Sequence, residues 1–191
     1  MNSDLELWLV RHGETVSNAS KKISGWSDVN LSAAGIAQAE AIKSRLQGHT
    51  FDDVWSSDLK RAIDTAKLAW GTTPKTDPRI REINFGTLEN RHWEKIDPQY
   101  IKSLIEFKNF NPPGGENLHE FATRLKNFIT GLKQGKHLIF THGGVVRMLT
   151  KEIGFDQFIR NAGIIQINWT KQKIISLFEL DWALPTGGKT N

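Results

Sequence analysis

The chain has 191 residues, 38% of them hydrophobic and 24% charged, the balance of a folded domain and not of a disordered segment. At that length one domain with a substantial core is expected over residues 1–184, followed by a mobile tail over 185–191. The net charge of +4 comes from scattered Lys and Arg, and there is no cysteine, so nucleic-acid binding, disulfides, thiolate catalysis and Cys-ligated zinc drop out.

Residues 1–4 lack the basic start of a signal peptide, and no run approaches the roughly 20 apolar residues of a membrane span. A cytoplasmic protein without membrane contact is therefore expected. Residues 5–10 read as the first strand. A helix then opens with Ser32 as its N-cap, carries Ile36, Ala39, Ile42 and Leu46 at helical spacing, and closes at Gln47-Gly48. Residues 54–56 predict a short strand, and about 58–70 a helix with Leu59, Ala62, Ile63 and Ala66 on its apolar face.

The stretch from Arg79 to about Pro113 is less periodic and holds Pro98, Pro112 and Pro113. It reads as irregular structure with one or two short helices, and its part near 87–116 as a segment capping a site. Residues 117–133 form an amphipathic pattern with Leu118, Phe121, Leu125, Phe128 and Leu132 inward. A strand at 137–140, a helix at about 145–153 and strands near 163–169 and 173–180 complete the chain. Strands alternating with helices predict an α/β fold with a mostly parallel sheet covered on both faces.

Two near-copies of one phrase follow apolar runs at opposite ends of this pattern: Arg11-His12-Gly13-Glu14 and Thr141-His142-Gly143-Gly144. Open α/β sheets place their chemistry just past the carboxyl ends of the strands, so two adjacent strands would put both imidazoles in one crevice beside Arg11. A neutral His12 can attack phosphorus and hold the phosphoryl group, provided one ring nitrogen is free and the other donates to a fixed acceptor. Arg11 and Arg61, the latter near the start of a helix, suit the charge that spreads over a phosphoryl group in transfer. Glu82 is the candidate proton donor to an alkoxide leaving group and then the base toward water, with a surface salt bridge to Arg79 or Arg81 as its plainer alternative. His142 can donate to the transferring group, and Gly143 and Gly144 let backbone N–H groups approach an oxyanion. His12, His142 and Glu82 could also be read as a metal triad, but two arginines at the same crevice would repel a cation, so neither metal nor cofactor is expected. Glu116 with Pro112-Pro113-Gly114-Gly115 either lines the mouth of the site or forms a turn that caps the next helix.

Taken together these strings resemble the histidine phosphatase superfamily, the phosphoglycerate-mutase-like group, from Leu7 to about Leu180. Arg-His-Gly-Glu-Thr at 11–15 resembles the segment around the family's phosphorylated histidine. Asn18 and Ser24-Gly25-Trp26 resemble its phosphate- and substrate-contacting loop. Ser56-Ser57-Asp58-Leu59 through Arg61-Ala62 is similar to the segment of the second arginine, Arg81-Glu82 through Phe85-Gly86 to that of the proton donor, and Thr141-His142-Gly143-Gly144 to that of the second histidine. The resemblance implies a three-layer α/β/α sandwich, His12 as nucleophile, Arg11, Arg61 and His142 as the phosphate pocket, Glu82 as acid and base, and no metal.

The family contains mutases and phosphatases. The segment after Glu82 is short here, and Pro-Pro-Gly-Gly-Glu-Asn at 112–117 resembles a string common among the phosphatases. The run from Phe85 to Trp93 is similar to the alpha-ribazole phosphatases. The implied activity is a metal-independent phosphomonoesterase acting through a phosphohistidine on a small phosphorylated metabolite, with alpha-ribazole 5′-phosphate as the candidate. A phosphoglycerate mutase, a broad sugar-phosphate phosphatase and a silent phospho-ligand binding module are the alternatives. Asn30, Thr87-Leu88 and Asn117 depart from the family's usual residues; none removes a catalytic group.

Overall fold

The computed structural model describes residues 4–181, so the expected tail over 185–191 lies outside the described residues. The first half of the chain runs β1 (Leu5–Arg11), α1 (Val16–Ala19), α2 (Ala33–Ala41), α3 (Lys43–Leu46), β2 (Asp53–Ser56), α4 (Lys60–Trp70) and β3 (Lys75–Thr76). It continues through short 3-10 turns to α5 (Pro98–Glu106), α6 (Leu118–Ile129), β4 (Gly135–Thr141), α7 (Gly143–Lys151), β5 (Ile164–Asn168) and β6 (Lys173–Phe178). The six strands form one sheet in the order β3-β2-β4-β1-β5-β6. The first four of these run parallel, and β5 and β6 add an antiparallel hairpin at one side.

The central strand β1 is buried on both faces, which is why its sequence is an uninterrupted apolar run instead of an alternating one. Leu7 and Leu9 enter one core with Ile139, Phe121, Leu125, Val145 and Val146, supplied in part by α6 and α7. Trp8 and Val10 enter the other with Leu138, Phe140, Ile42, Leu46 and Ala66, supplied by α2 through α4. Two cores on opposite faces of one sheet make three layers, and each fully buried Leu, Ile or Phe contributes about 1.5–3 kcal/mol to holding them together.

Several elements differ from the sequence-based expectation in ways that matter for the site. The helix expected over 33–46 breaks at Ile42 into α2 and α3, and Ile36 points outward at 42% exposure. Its inward face is set by Gly35, Gln38 and Ala39, because Gly35 packs against the backbone of Glu14. On α4 the buried face includes Arg61 and Thr65, while Ile63 is only half-buried. Helix α7 begins at Gly143, earlier than the apolar spacing suggests, so its N-terminus directly follows His142. Asn117 caps α6 in a reciprocal arrangement with Glu120.

Candidate active site

Strands β1 and β4 pair in parallel with Arg11 opposite Thr141, so the next residue of each strand leaves the sheet at the same level. The N–H of His12 donates to the Thr141 carbonyl at 2.9 Å, and the rings of His12 and His142 meet edge to face with centroids 5.2 Å apart. His12 Nδ1 lies 2.7 Å from the carbonyl oxygen of Gly13. A carbonyl only accepts, so the proton resides on Nδ1 and the lone pair on Nε2. Burial, followed by the charges of Arg61 and Arg11, holds the His12 pKa well below its ordinary 6.5, so the ring is neutral at physiological pH.

The turn that aims this ring depends on two glycines. The Gly13 N–H donates to Thr65 Oγ1 at 3.0 Å, and a Cβ on Gly13 would collide with the carbonyl oxygen of Gly35. A Cβ on Gly35 would in turn collide with the carbonyl oxygen of Glu14. The loop after β1 and the first turn of α2 therefore pack backbone against backbone, a distance only glycine permits.

Arg61, in the first turn of α4, is 1% exposed and donates to the carbonyls of Ser27 at 3.0 Å and Gly25 at 2.6 Å. Burial lowers its pKa to about 10, opposed by the carboxylate of Glu82, and leaves it cationic at neutral pH. Arg11 donates to the Ile159 carbonyl at 2.7 Å. Its Nε, both ring nitrogens of His142 and Ser24 Oγ are buried without a hydrogen-bond partner among the described residues. An unpaired buried donor costs about 1–3 kcal/mol, and an oxyanion would satisfy Arg11 Nε, Ser24 Oγ and the one protonated nitrogen of a neutral His142. Burial and then Arg61 hold the His142 pKa well below 6.5, so it too is neutral in this state.

Glu82 reaches the same place from an irregular segment. Its Oε1 accepts the N–H of Ile83 at 3.0 Å and its Oε2 the N–H of Gly144 at 3.1 Å. Arg81 is bound instead to Asp58, with Nε–Oδ1 at 2.7 Å, so the surface salt bridge that was Glu82's plainer alternative is not formed by that neighbour. Arg79 pairs with Asp77.

These groups surround a cavity of about 550 Å³. Arg11, His12, Arg61, Glu82, Asn18, Ser24 and Gly25 all line it. Of the two glycines expected near an oxyanion, Gly144 lines the cavity and Gly143 does not; the ring of His142 packs against that of His12, which does line it. Gly143 instead backs the guanidinium of Arg11, where a Cβ would lie 3.3 Å from Cζ and Nε. Beyond the polar end the wall is apolar, with Ile83, Phe85, Leu104, Ile105, Phe107 and Phe158, and Lys21 and Lys22 are also among the lining residues. Trp93 lines the cavity, whereas Trp26 does not; its indole N–H donates to the Glu82 carbonyl at 2.7 Å.

Sequence reasoning passed over Glu89, whose carboxylate accepts the N–H groups of Trp26 at 2.8 Å, Ser27 at 2.7 Å and Phe85 at 3.2 Å. It also passed over Arg124 and left Glu116 as a mouth or turn residue. No periodicity marks these positions, because most of the partners of Glu89 and Arg124 are backbone groups far away in the chain. Among the described residues no cluster of three or more His, Cys, Asp or Glu side chains is arranged to hold a metal ion, and no helix is long and apolar enough to cross a membrane.

Residues 7–181 match the histidine phosphatase superfamily (branch 1). A Yersinia pestis protein described as a probable phosphoglycerate mutase, GpmB, is 37% identical over 204 aligned positions, covering 97% of this chain and 94% of the relative. The structure of a phosphoglycerate mutase from Thermus thermophilus superposes with a TM-score of 0.85 at 42% identity, over 93% of this chain and 100% of that one. A candidate alpha-ribazole-5′-P phosphatase of Escherichia coli superposes with a TM-score of 0.77 at 28% identity, over 93% of this chain and 96% of that one.

Proposed function

From the premise that the chain belongs to the histidine phosphatase superfamily (branch 1), we propose that it is a phosphomonoesterase working through a phosphohistidine at His12. The observation that carries this reading is the free Nε2 of a neutral His12, its other nitrogen bound to Gly13, in a cavity shared with Arg11, Arg61 and Glu82. In the first step His12 Nε2 forms a bond to phosphorus while the ester P–O bond breaks. Glu82, in its acid form, gives its proton to the departing alkoxide. Arg11, Arg61 and His142 donate to the equatorial oxygens, where the charge accumulates. In the second step water attacks phosphorus, its proton passes to the Glu82 carboxylate, and the N–P bond breaks to release phosphate and restore His12.

Hydrolysis is favoured over mutase chemistry by the apolar wall of the cavity. A phosphoglycerate carries a carboxylate next to its phosphate, whereas Phe85, Leu104, Phe107 and Phe158 suit a flat or apolar leaving group. A small metabolite such as alpha-ribazole 5′-phosphate, with an aromatic base on its sugar, has that shape. The mutase reading is kept because Lys21 and Lys22 also line the cavity and two of the relatives above bear that name. No metal or cofactor takes part in the proposed steps.

The test is phosphate release in EDTA from alpha-ribazole 5′-phosphate, nucleoside monophosphates, sugar phosphates and phosphoglycerates. Turnover that survives EDTA and favours the aromatic ester supports the reading. Conversion of 3-phosphoglycerate to 2-phosphoglycerate with little phosphate release would replace it with the mutase, and binding without turnover with a silent module.

A further inference from the structure

The residue that delivers the proton in this proposal sits on a segment with no regular structure of its own: residues 81–85 are neither helix nor strand. A guanidinium is its main tie, beside the Trp26 indole N–H that also donates to the Glu82 carbonyl at 2.7 Å. Arg124, on α6, donates through Nη1 to the carbonyls of Arg79 and Arg81, both at 2.8 Å, and through Nη2 to the carbonyl of Glu82 at 2.7 Å. Its fork is in turn locked by Glu116, with Nε–Oε1 at 2.8 Å and Nη2–Oε2 at 2.7 Å. Glu116 also grips the far side of the segment, since its Oε2 accepts the N–H of Asn84 at 2.8 Å and its own N–H donates to the Asn84 carbonyl at 3.0 Å. Both side chains are largely buried, at 17% and 13% exposure, where a bidentate pair is well shielded from salt and water.

We infer that Arg124, oriented by Glu116, is a positioning residue for the proton donor, holding the backbone of Glu82 so that its carboxyl group reaches the leaving oxygen. The arrangement goes beyond ordinary loop support in one respect. Three carbonyls within residues 79–82 converge on a single cation, and the third belongs to Glu82 itself. A displacement of the carboxyl group by an ångström leaves phosphate binding intact and removes only the proton transfer. The inference rests on Glu82 being the acid of the proposed reaction.

The dependence of kcat/KM on the leaving group tests it, because kcat/KM reports the step in which the ester bond breaks. Nitrophenolate departs without a proton and an alkoxide does not, so p-nitrophenyl phosphate and an alkyl phosphate such as glycerol phosphate form the pair of probes. Arg124→Lys, which keeps the charge but loses the fork, and Glu116→Gln are measured beside Glu82→Gln, each after its circular dichroism has been matched to wild type. The expected result is a loss of about 10- to 100-fold on the alkyl ester against less than about threefold on the nitrophenyl ester for both clamp variants. Glu82→Gln is expected to show the same asymmetry more strongly. Equal losses on both esters in the clamp variants, with the asymmetry kept in Glu82→Gln, overturn the positioning role and leave the acid assignment standing. Equal losses in Glu82→Gln as well overturn both.

Discussion

The carboxylate of Glu82 accepts the backbone N–H of Gly144 at 3.1 Å, joining two residues 62 positions apart in the chain. That bond ties the candidate proton donor to the first turn of α7, the helix that directly follows His142. It also leaves no room for a side chain at position 144, where a Cβ would collide with Glu82 Oε1.

Gly144→Ala is therefore expected to push the carboxyl group aside without unfolding α7, since alanine is a better helix former than glycine. An alkyl phosphate should lose about 10²-fold in kcat/KM, measured by phosphate release. Wild-type turnover in this variant would mean that the carboxyl group need not sit where the structure has it.

His12→Ala should abolish turnover, by about 10³-fold or more, while the thermal melt stays cooperative. Wild-type protein quenched during turnover of a radiolabelled substrate should retain acid-labile, base-stable label, as a phosphoramidate does. Label remaining in the alanine variant would place the intermediate elsewhere.

The buried imidazoles make stability depend on pH in a predictable direction. Burial, with Arg61 and then Arg11 for His12, and with Arg61 and then His12 for His142, sets both folded pKa values below the unfolded 6.5. Their contribution is therefore complete above pH 6.5 and is lost as pH falls from there toward the folded values, by up to about 1.4 kcal/mol per pH unit for each group. Urea midpoints measured on either side of pH 6.5 should show this slope, and it should shrink in His12→Ala. For the same reason any acid limb contributed by His12 should lie below pH 6.5, which NMR titration of its ring can check directly.

Ile105 lines the cavity but is 58% exposed, so its side chain does little for the core. Ile105→Ser should leave the melting temperature nearly unchanged and cut kcat/KM for an aromatic phosphomonoester by about tenfold, the cost of losing a few apolar contacts. Glycerol phosphate should respond much less. Equal effects on both substrates would argue that the apolar wall does not contact the leaving group.

Gly35→Ala would force a Cβ against the carbonyl oxygen of Glu14. The backbone must move, at a cost of about 1–3 kcal/mol or more, seen as a lower urea midpoint. Activity should fall with it, because the displaced loop also carries His12.

Much of the candidate site's placement in the chain was legible before any tertiary information. Arg11 ends β1 with His12-Gly13 directly after it, His142-Gly143-Gly144 directly follow β4, and Arg61 lies in the first turn of a helix after a strand. Strand, turn and helix start are neighbours in the chain, so local patterning places the side chain. Expectations that needed a distant partner fared differently. Gly143 and Gly144 were both expected to approach an oxyanion, but the path of α7 turns Gly143 toward Arg11 and leaves Gly144 at the cavity. Ile36 fits the helical spacing yet faces outward, because the approach of Gly35 to Glu14 decides which side of α2 is inward.

By itself, then, the sequence determined the succession of strands and helices and the placing of Arg11, His12 and His142 at the strand ends, since apolar periodicity and chain adjacency are local properties. The tertiary structure decided what no spacing encodes. The register of β1 against β4 set the two imidazoles edge to face, packing buried His12 deeply enough to keep it neutral, and Arg124 and Glu116 became the support of Glu82. Those outcomes depend on where separate segments meet, and hydrogen bonds to backbone carbonyls leave almost no trace in the identity of the residues that supply them.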